Sequence, residues 1–274
     1  MAAPEENSRQ NRHWQPKWKQ RQAPPGAWLK QQQRRGTLRE SKVTLGSRTI
    51  TLFEANGDYG TRLWPTAEAV AAWISESEEK LHGMQAIEIG CGNGLCTLAL
   101  AAAGAHVLAT DYDPAALKLT EVAVESAGLS DRVRTALFDI CNPTPLSAVG
   151  EGFHILLAAD VMYSEALALA LARRCVEADN MGIRSVVADP GRPTQRIFLD
   201  ALAAAADGSE EGSRQPLSAR VVALNELEGM PFDGWARGQC NDTALSALHR
   251  LAADNIMMLK VTGAGGAREL PAGE

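Results

Sequence analysis

The sequence has no apolar run approaching the roughly 20 residues of a membrane span. Its first residues lack the apolar stretch that forms a signal-peptide core. These absences make a soluble, intracellular and cytoplasmic protein without a membrane partner the expectation. The five cysteines, Cys91, Cys96, Cys141, Cys175 and Cys240, form no Cys-x-x-Cys pair, and the histidines are scattered. No metal site and no disulfide framework is therefore expected, and the cysteines read as free thiols. No internal repeat is present.

What is present is a chain of 274 residues, long enough for one large α/β domain with a tail, and 45% hydrophobic residues, enough to fill its core. The net charge of -6 hides an asymmetry. Residues 1–48 carry eleven Lys or Arg against Glu5, Glu6 and Glu40, which leaves the acidic excess to the remainder. Residues 1–38 are rich in Gln, Arg, Lys and Pro, with Trp14, Trp18 and Trp28 among the charges. Such a segment buries too little apolar surface to offset its ordering entropy, so a disordered basic extension is expected. It reads either as a solvated tail or as a grip on RNA or an acidic partner through phosphate or carboxylate contacts and stacking.

The densest signal is Ala86-Ile87-Glu88-Ile89-Gly90-Cys91-Gly92-Asn93-Gly94-Leu95, followed by an apolar, alanine-rich segment. It predicts a strand, a tight turn and a helix, the arrangement at which open α/β sheets bind nucleotides. Glycines bring the backbone close to a ligand, and unpaired amides at the helix start favour an anion. The spacing is G-x-G-x-G, whereas a dinucleotide fingerprint requires G-x-G-x-x-G and finds Leu95 in its last position. The next apolar segment, His106 to Asp111, ends in a carboxylate placed to accept hydrogen bonds from a ribose. Asp113-Pro114 then predicts an N-cap and first position of a helix to about Ala127.

Glu88-x-Gly90-x-Gly92-x-Gly94 with Asp111 resembles the first motifs of class I, seven-β-strand, S-adenosylmethionine-dependent methyltransferases. The resemblance implies S-adenosylmethionine as cofactor, with Glu88, Gly90, Gly92, Gly94 and Asp111 holding it and Tyr112 packing near adenine. Asp139, after a third strand from Val133 to Phe138, is implied as an acceptor for the adenine amino group. A turn-forming Asp is the ordinary alternative there. Trp64-Pro65 resembles a Trp-Pro pair that precedes the glycine motif in the methyltransferase-like protein-lysine methyltransferases. Trp64 then reads either as an aromatic wall of the cofactor site or as helix packing.

His154 to Asp160 is apolar almost throughout, as a strand buried on both faces should be, and a charge at its end needs a partner or a ligand. Asp160-Val161-Met162-Tyr163 resembles the Asp-x-x-Tyr/Phe motif of the same group, and no Asn-Pro-Pro-Tyr stands in its place. The resemblance implies that Asp160 holds an amine and Tyr163 narrows its channel. Asp189-Pro190-Gly191-Arg192, after a fifth strand, is most like the branch acting on lysines of the electron-transfer flavoprotein β subunit. The alternative for Asp189 is a proline-glycine turn in which it caps the following helix.

The expected architecture is a Rossmann-like, doubly wound, seven-stranded α/β sheet, mostly parallel. A β-hairpin within Lys42 to Phe53 precedes it, and segments 219–224 and 255–261 form an antiparallel C-terminal hairpin. The methyltransferase domain spans 39–263, and 264–274 is a flexible tail. The expected activity is methyl transfer to a lysine ε-amine of a protein substrate. The alternatives are a small-molecule amine or pyridine-type N-methyltransferase, an RNA-associated methyltransferase, and a cofactor-binding interaction module without catalysis.

Overall fold

The computed structural model describes residues 25–45, 48–55, 59–75, 81–207, 219–223 and 256–260. Its centre is β3 (Gln85–Ile89), the predicted strand before the glycines. Four of its five residues are buried, and alternate side chains leave on opposite faces, as a pleated strand requires. Ala86 joins one apolar cluster, whereas Ile87 and Ile89 join the other.

Around β3 stand β4 (His106–Asp111), β5 (Val133–Leu137), β6 (Ile155–Ala159), β7 (Arg184–Asp189), β8 (Ala219–Ala223) and β9 (Ile256–Lys260). Their order is β5-β4-β3-β6-β7-β9-β8. The chain thus winds outward from β3 through β4 to β5, then crosses back to β6 and continues the other way. The reversal between β3 and β6 opens a crevice at the carboxyl ends of the strands. Register puts those ends level, with Ile89 beside Thr110 on one side and Ala158 on the other.

Helices cover both faces, as a parallel sheet demands. On one lie α2 (Pro65–Ser75), α3 (Leu95–Ala102) and α4 (Pro114–Ser126), and on the other α5 (Glu165–Asn180) and α6 (Thr194–Asp207). The start of α4 is as predicted, with the Asp113 carboxylate accepting from the Ala115 amide at 2.8 Å and Pro114 in the first position. Ser164 caps α5 in the same way, accepting from the Leu167 amide. No helix among the described residues is long and apolar enough to cross a membrane.

The hairpin is longer than predicted. Its strands β1 (Leu38–Leu45) and β2 (Arg48–Ala55) pair antiparallel as a separate sheet, and its Leu45, Ile50, Leu52 and Phe53 enter the first cluster.

Two expectations are corrected. The sheet is parallel throughout, including β8 against β9, so the C-terminal strands are not an antiparallel hairpin. Residues 224–255 connect them, a length that suits a crossover rather than a hairpin loop. Secondly, residues 25–34, read as part of the disordered extension, form helix α1 (Pro25–Arg34). So short a helix is marginal in water, and packing decides it. Trp28 and Leu29 lie against the first cluster, with α4 as the neighbour. The rest of the basic extension, residues 1–24, and the predicted tail 264–274 lie outside the described residues.

Candidate active site

The turn after β3 carries the backbone through positive φ at alternate residues, among them 70° at Gly90 and 54° at Gly92. Both conformations favour glycine, and close neighbours add to the constraint. A Cβ on Gly92 would stand 2.9 Å from the Gly60 carbonyl oxygen, and one on Gly90 would stand 2.9 Å from Val161. Two other loops therefore close directly on the glycine turn, the one before α2 and the one after β6. Gly92→Ala is expected to cost more than the roughly 1–2 kcal/mol of a left-handed alanine, because a backbone carbonyl must also move. Gly128→Ala is the control, since Gly128 has φ 68° and nothing within 4 Å of its would-be Cβ. Equal losses in urea-unfolding free energy for the two variants would remove the steric part of the explanation.

Beside this turn lies a cavity of about 600 Å³. Trp64, Glu88, Gly90, Gly92, Asp111, Tyr112, Asp139, Asp160 and Tyr163 all line it, so the structure brings nearly every predicted site residue to one place. Gly94 is the exception. It does not line the cavity; it precedes α3, and its would-be Cβ points at Thr120, 2.8 Å from the hydroxyl oxygen. Packing between α3 and α4 thus already requires a glycine at this position.

The Asp111 carboxylate closes β4 and accepts the Gly92 amide at 3.0 Å and the Asp113 amide at 2.9 Å. Burial raises its pKa to about 6. Glu88, on β3 itself, is buried and accepts a hydrogen bond from the Thr97 hydroxyl of α3. Burial pushes its pKa up to about 8, with the Asp111 charge adding in the same direction. A carboxyl whose folded pKa lies above its unfolded value favours folding below the unfolded pKa and loses that contribution as pH rises through the folded one. The window for Glu88 runs from 4.5 to about 8. Asp111 acts with the same sign from 3.8 to about 6. Glu88→Gln is therefore expected to flatten the fall in stability between about pH 6 and 8. Urea midpoints at both pH values check this, and an unchanged slope would refute the assignment.

Tyr112 and Tyr163 stand half-exposed at the cavity, their phenols close to one another. Burial first, then the neighbouring Tyr112, raises the Tyr163 pKa to about 12, so it is a neutral phenol at physiological pH. Asp139 is exposed, and its Oδ1 accepts the Cys141 amide at 2.9 Å. The turn role proposed for it is thus present, in a residue that also lines the cavity. Trp64 is half-buried at the entrance of α2 and lines the cavity.

Asp160 ends β6 with φ 62°, the single non-glycine residue with positive φ among the described residues. Its side chain is 4% exposed and forms an ion pair with the guanidinium of Arg192. The sequence places Arg192 within the Asp-Pro-Gly-Arg motif but gives its side chain no role of its own. The missed signal was charge: a buried Asp at a strand end calls for a cation, and one stood at the end of the adjacent strand. Arg62 and Asn93 are further lining residues without a role read from the sequence. Asn93 is 3% exposed, and its side-chain nitrogen has no hydrogen-bond partner among the described residues. Among the described residues no group of His, Cys, Asp and Glu is arranged to hold a metal.

A family model described as "Lysine methyltransferase" matches residues 46–189. The electron transfer flavoprotein beta subunit lysine methyltransferase of Danio rerio is 29% identical over 136 residues, 49% of this chain and 50% of that one. Its counterpart from Rattus norvegicus is 27% identical over 146 residues, 52% and 54% of the two chains. The ribosomal protein L11 methyltransferase of Trichlorobacter lovleyi is 30% identical over 107 residues, 39% of this chain and 32% of that one. The chain thus matches about half the length of the first two relatives.

Proposed function

The chain belongs to the lysine methyltransferase family, and on that premise we propose that it transfers a methyl group from S-adenosylmethionine to the ε-amine of a lysine in a protein substrate. The observation that carries the reading is one cavity lined by both halves of such a site: the glycine turn with Asp111, and Asp160 with Tyr163.

The lining fits the cofactor. A carboxylate held by backbone amides faces the cavity as an acceptor for two ribose hydroxyls, and Asn93 offers a buried side-chain amide that lacks a partner. Phe138, Ile140 and Tyr112 supply apolar surface for a base, and Asp139 supplies an acceptor beside them. When bound, the cofactor supplies a methyl on a cationic sulfur: the new N–C bond forms as the S–C bond breaks, and that electron pair passes to sulfur.

A free lysine side chain has a pKa near 10.4 and is mostly protonated at neutral pH, so the amine must shed a proton before it can attack. The apolar lining from Ile89, Val161 and Leu167 disfavours the ammonium, whereas the Asp160 carboxylate favours it. Asp160 is accordingly a group that holds and orients the amine. Tyr163 narrows the approach as a neutral phenol. Placing two reactants in line supplies most of the acceleration. The described cysteines, Cys91, Cys96, Cys141 and Cys175, are free thiols, in keeping with a cytoplasmic protein.

The test is incubation of the protein with methyl-labelled cofactor and lysate, followed by mass spectrometry. Label on a protein lysine supports the reading. Label confined to small molecules or RNA, or none at all, would replace it.

A further inference from the structure

We propose that Arg192 is a positioning residue of the acceptor side: it clamps Asp160 against Asp189 through one carboxylate oxygen and leaves the other for the incoming amine. This rests on the methyl-transfer reading above.

The Asp189–Arg192 turn is built as a fixed platform. Asp189 is fully buried at the end of β7, and its Oδ1 accepts the amides of Gly191 and Arg192, both at 2.7 Å. The Arg192 guanidinium reaches back to Asp189 Oδ2 at 3.4 Å and on to Asp160 Oδ1. Main-chain and side-chain bonds therefore fix Arg192 at both ends, which reduces the rotamer entropy lost on forming the pair with Asp160.

Asp160 is held from three directions. Its amide donates to the Ala188 carbonyl at 2.9 Å, which ties the ends of β6 and β7 together. The Thr194 hydroxyl donates to the Met162 carbonyl, fixing the far side of the same loop. The side chain is held by Arg192. A left-handed backbone at a non-glycine residue costs about 1–2 kcal/mol and persists where its surroundings over-determine it. Oδ2 of Asp160 has no hydrogen-bond partner among the described residues, although the side chain is 4% exposed and lines the cavity. A carboxylate of a cavity-lining residue, with one oxygen clamped and the other unpaired among the described residues, is suited to orient a single donor.

Arg192 also sets the local charge. With it, two carboxylates share one cation. Without it, Asp160 lines the acceptor side uncompensated, with the buried Asp189 charge behind it, and stabilises the ammonium, which is the unreactive form of the amine. Loss of Arg192 is therefore expected to slow transfer without weakening acceptor binding.

The experiment compares wild type, Arg192→Met and Arg192→Lys on the acceptor found in lysate. For Arg192→Met, kcat is expected to fall on the order of 10²-fold while KM for the acceptor stays within about threefold. The acidic limb of its kcat profile is expected to move up by about one pH unit. Arg62, Glu88, Asp111, Tyr112, Asp139 and Tyr163 also border the cavity and are common to all three proteins, so the shift between proteins reports Arg192. Arg192→Lys restores charge without the planar fork. It should return the limb towards wild type and recover part of kcat. Calorimetry should give unchanged cofactor affinity in all three. Unchanged kcat in Arg192→Met, or a loss of kcat with no movement of the limb in either variant, would overturn the proposal. So would a loss matched by equal losses of cofactor affinity and thermal stability. A wild-type protein that transfers to no protein lysine would overturn the underlying reading instead.

Discussion

Asp160→Ala is expected to lower kcat for methyl transfer by on the order of 10²–10³-fold while cofactor affinity stays within about threefold. The residue ends β6 on the far side of the crevice from Asp111, and its only side-chain partner among the described residues is Arg192. Among the described residues no hydrogen bond joins its side chain to the glycine turn or to β4, so the half of the cavity around Asp111 has no cause to move. Alanine also removes the clamped oxygen, leaving Arg192 to Asp189 alone. Asp160→Asn keeps the shape but not the charge, and is expected to fall between wild type and alanine. Single-turnover transfer and calorimetric cofactor titration check both variants. Transfer at the wild-type rate in Asp160→Ala would end its assignment to the amine site.

Asp111→Ala is expected to act on the other half, weakening cofactor binding by on the order of 10²-fold or more. Two effects add. Charge-assisted hydrogen bonds to ribose hydroxyls, each about 1.5–3 kcal/mol, are lost. The Gly92 and Asp113 amides also lose their acceptor, so the turn itself is less well held. A pH dependence separates the charge from the shape. With a pKa of about 6, Asp111 is protonated in the free protein as pH falls below that value. Cofactor affinity is expected to fall with it, since a neutral carboxyl accepts more weakly. Asp111→Asn should bind more weakly than wild type at pH 8 and lose this pH dependence. Calorimetry at pH 5 and 8 decides it; an undiminished pH dependence in Asp111→Asn would place the titration elsewhere.

Much of this site was legible because its parts are local. The alternation of glycines, the carboxylate closing a five- or six-residue apolar run, and the Asp-Pro start of α4 each depend on a few neighbouring residues. Their backbone consequences follow from steric and capping rules that hold in any context. A parallel sheet then collects successive strand ends at one edge, so Glu88, Asp111 and Asp160 share a cavity once their strands are recognised. The place of Asp111 and Asp160 at the cavity was legible for the same reason: charge at the end of a buried strand is costly unless it is used or paired.

What the tertiary structure decided is non-local. Arg192 meets Asp160 across 32 positions of sequence, and nothing in the Asp-Pro-Gly-Arg turn alone says which carboxylate its side chain will choose. Gly94 is read from its spacing as a cradle residue; that Thr120, on a different helix, leaves no room for a Cβ there is decided by packing. Helix α1 exists through Trp28 and Leu29 packing on a core whose other members lie far along the chain, which composition could not reveal. The direction of β9 is set by its pairing with β7 and β8, and apolar patterning is the same for a strand read in either direction. Sequence by itself therefore determined the strands near the glycine turn and the residues that end them, because hydrophobic period and turn chemistry act over a few residues. Only the tertiary structure decided partners and orientation, because those depend on which distant surfaces are brought together.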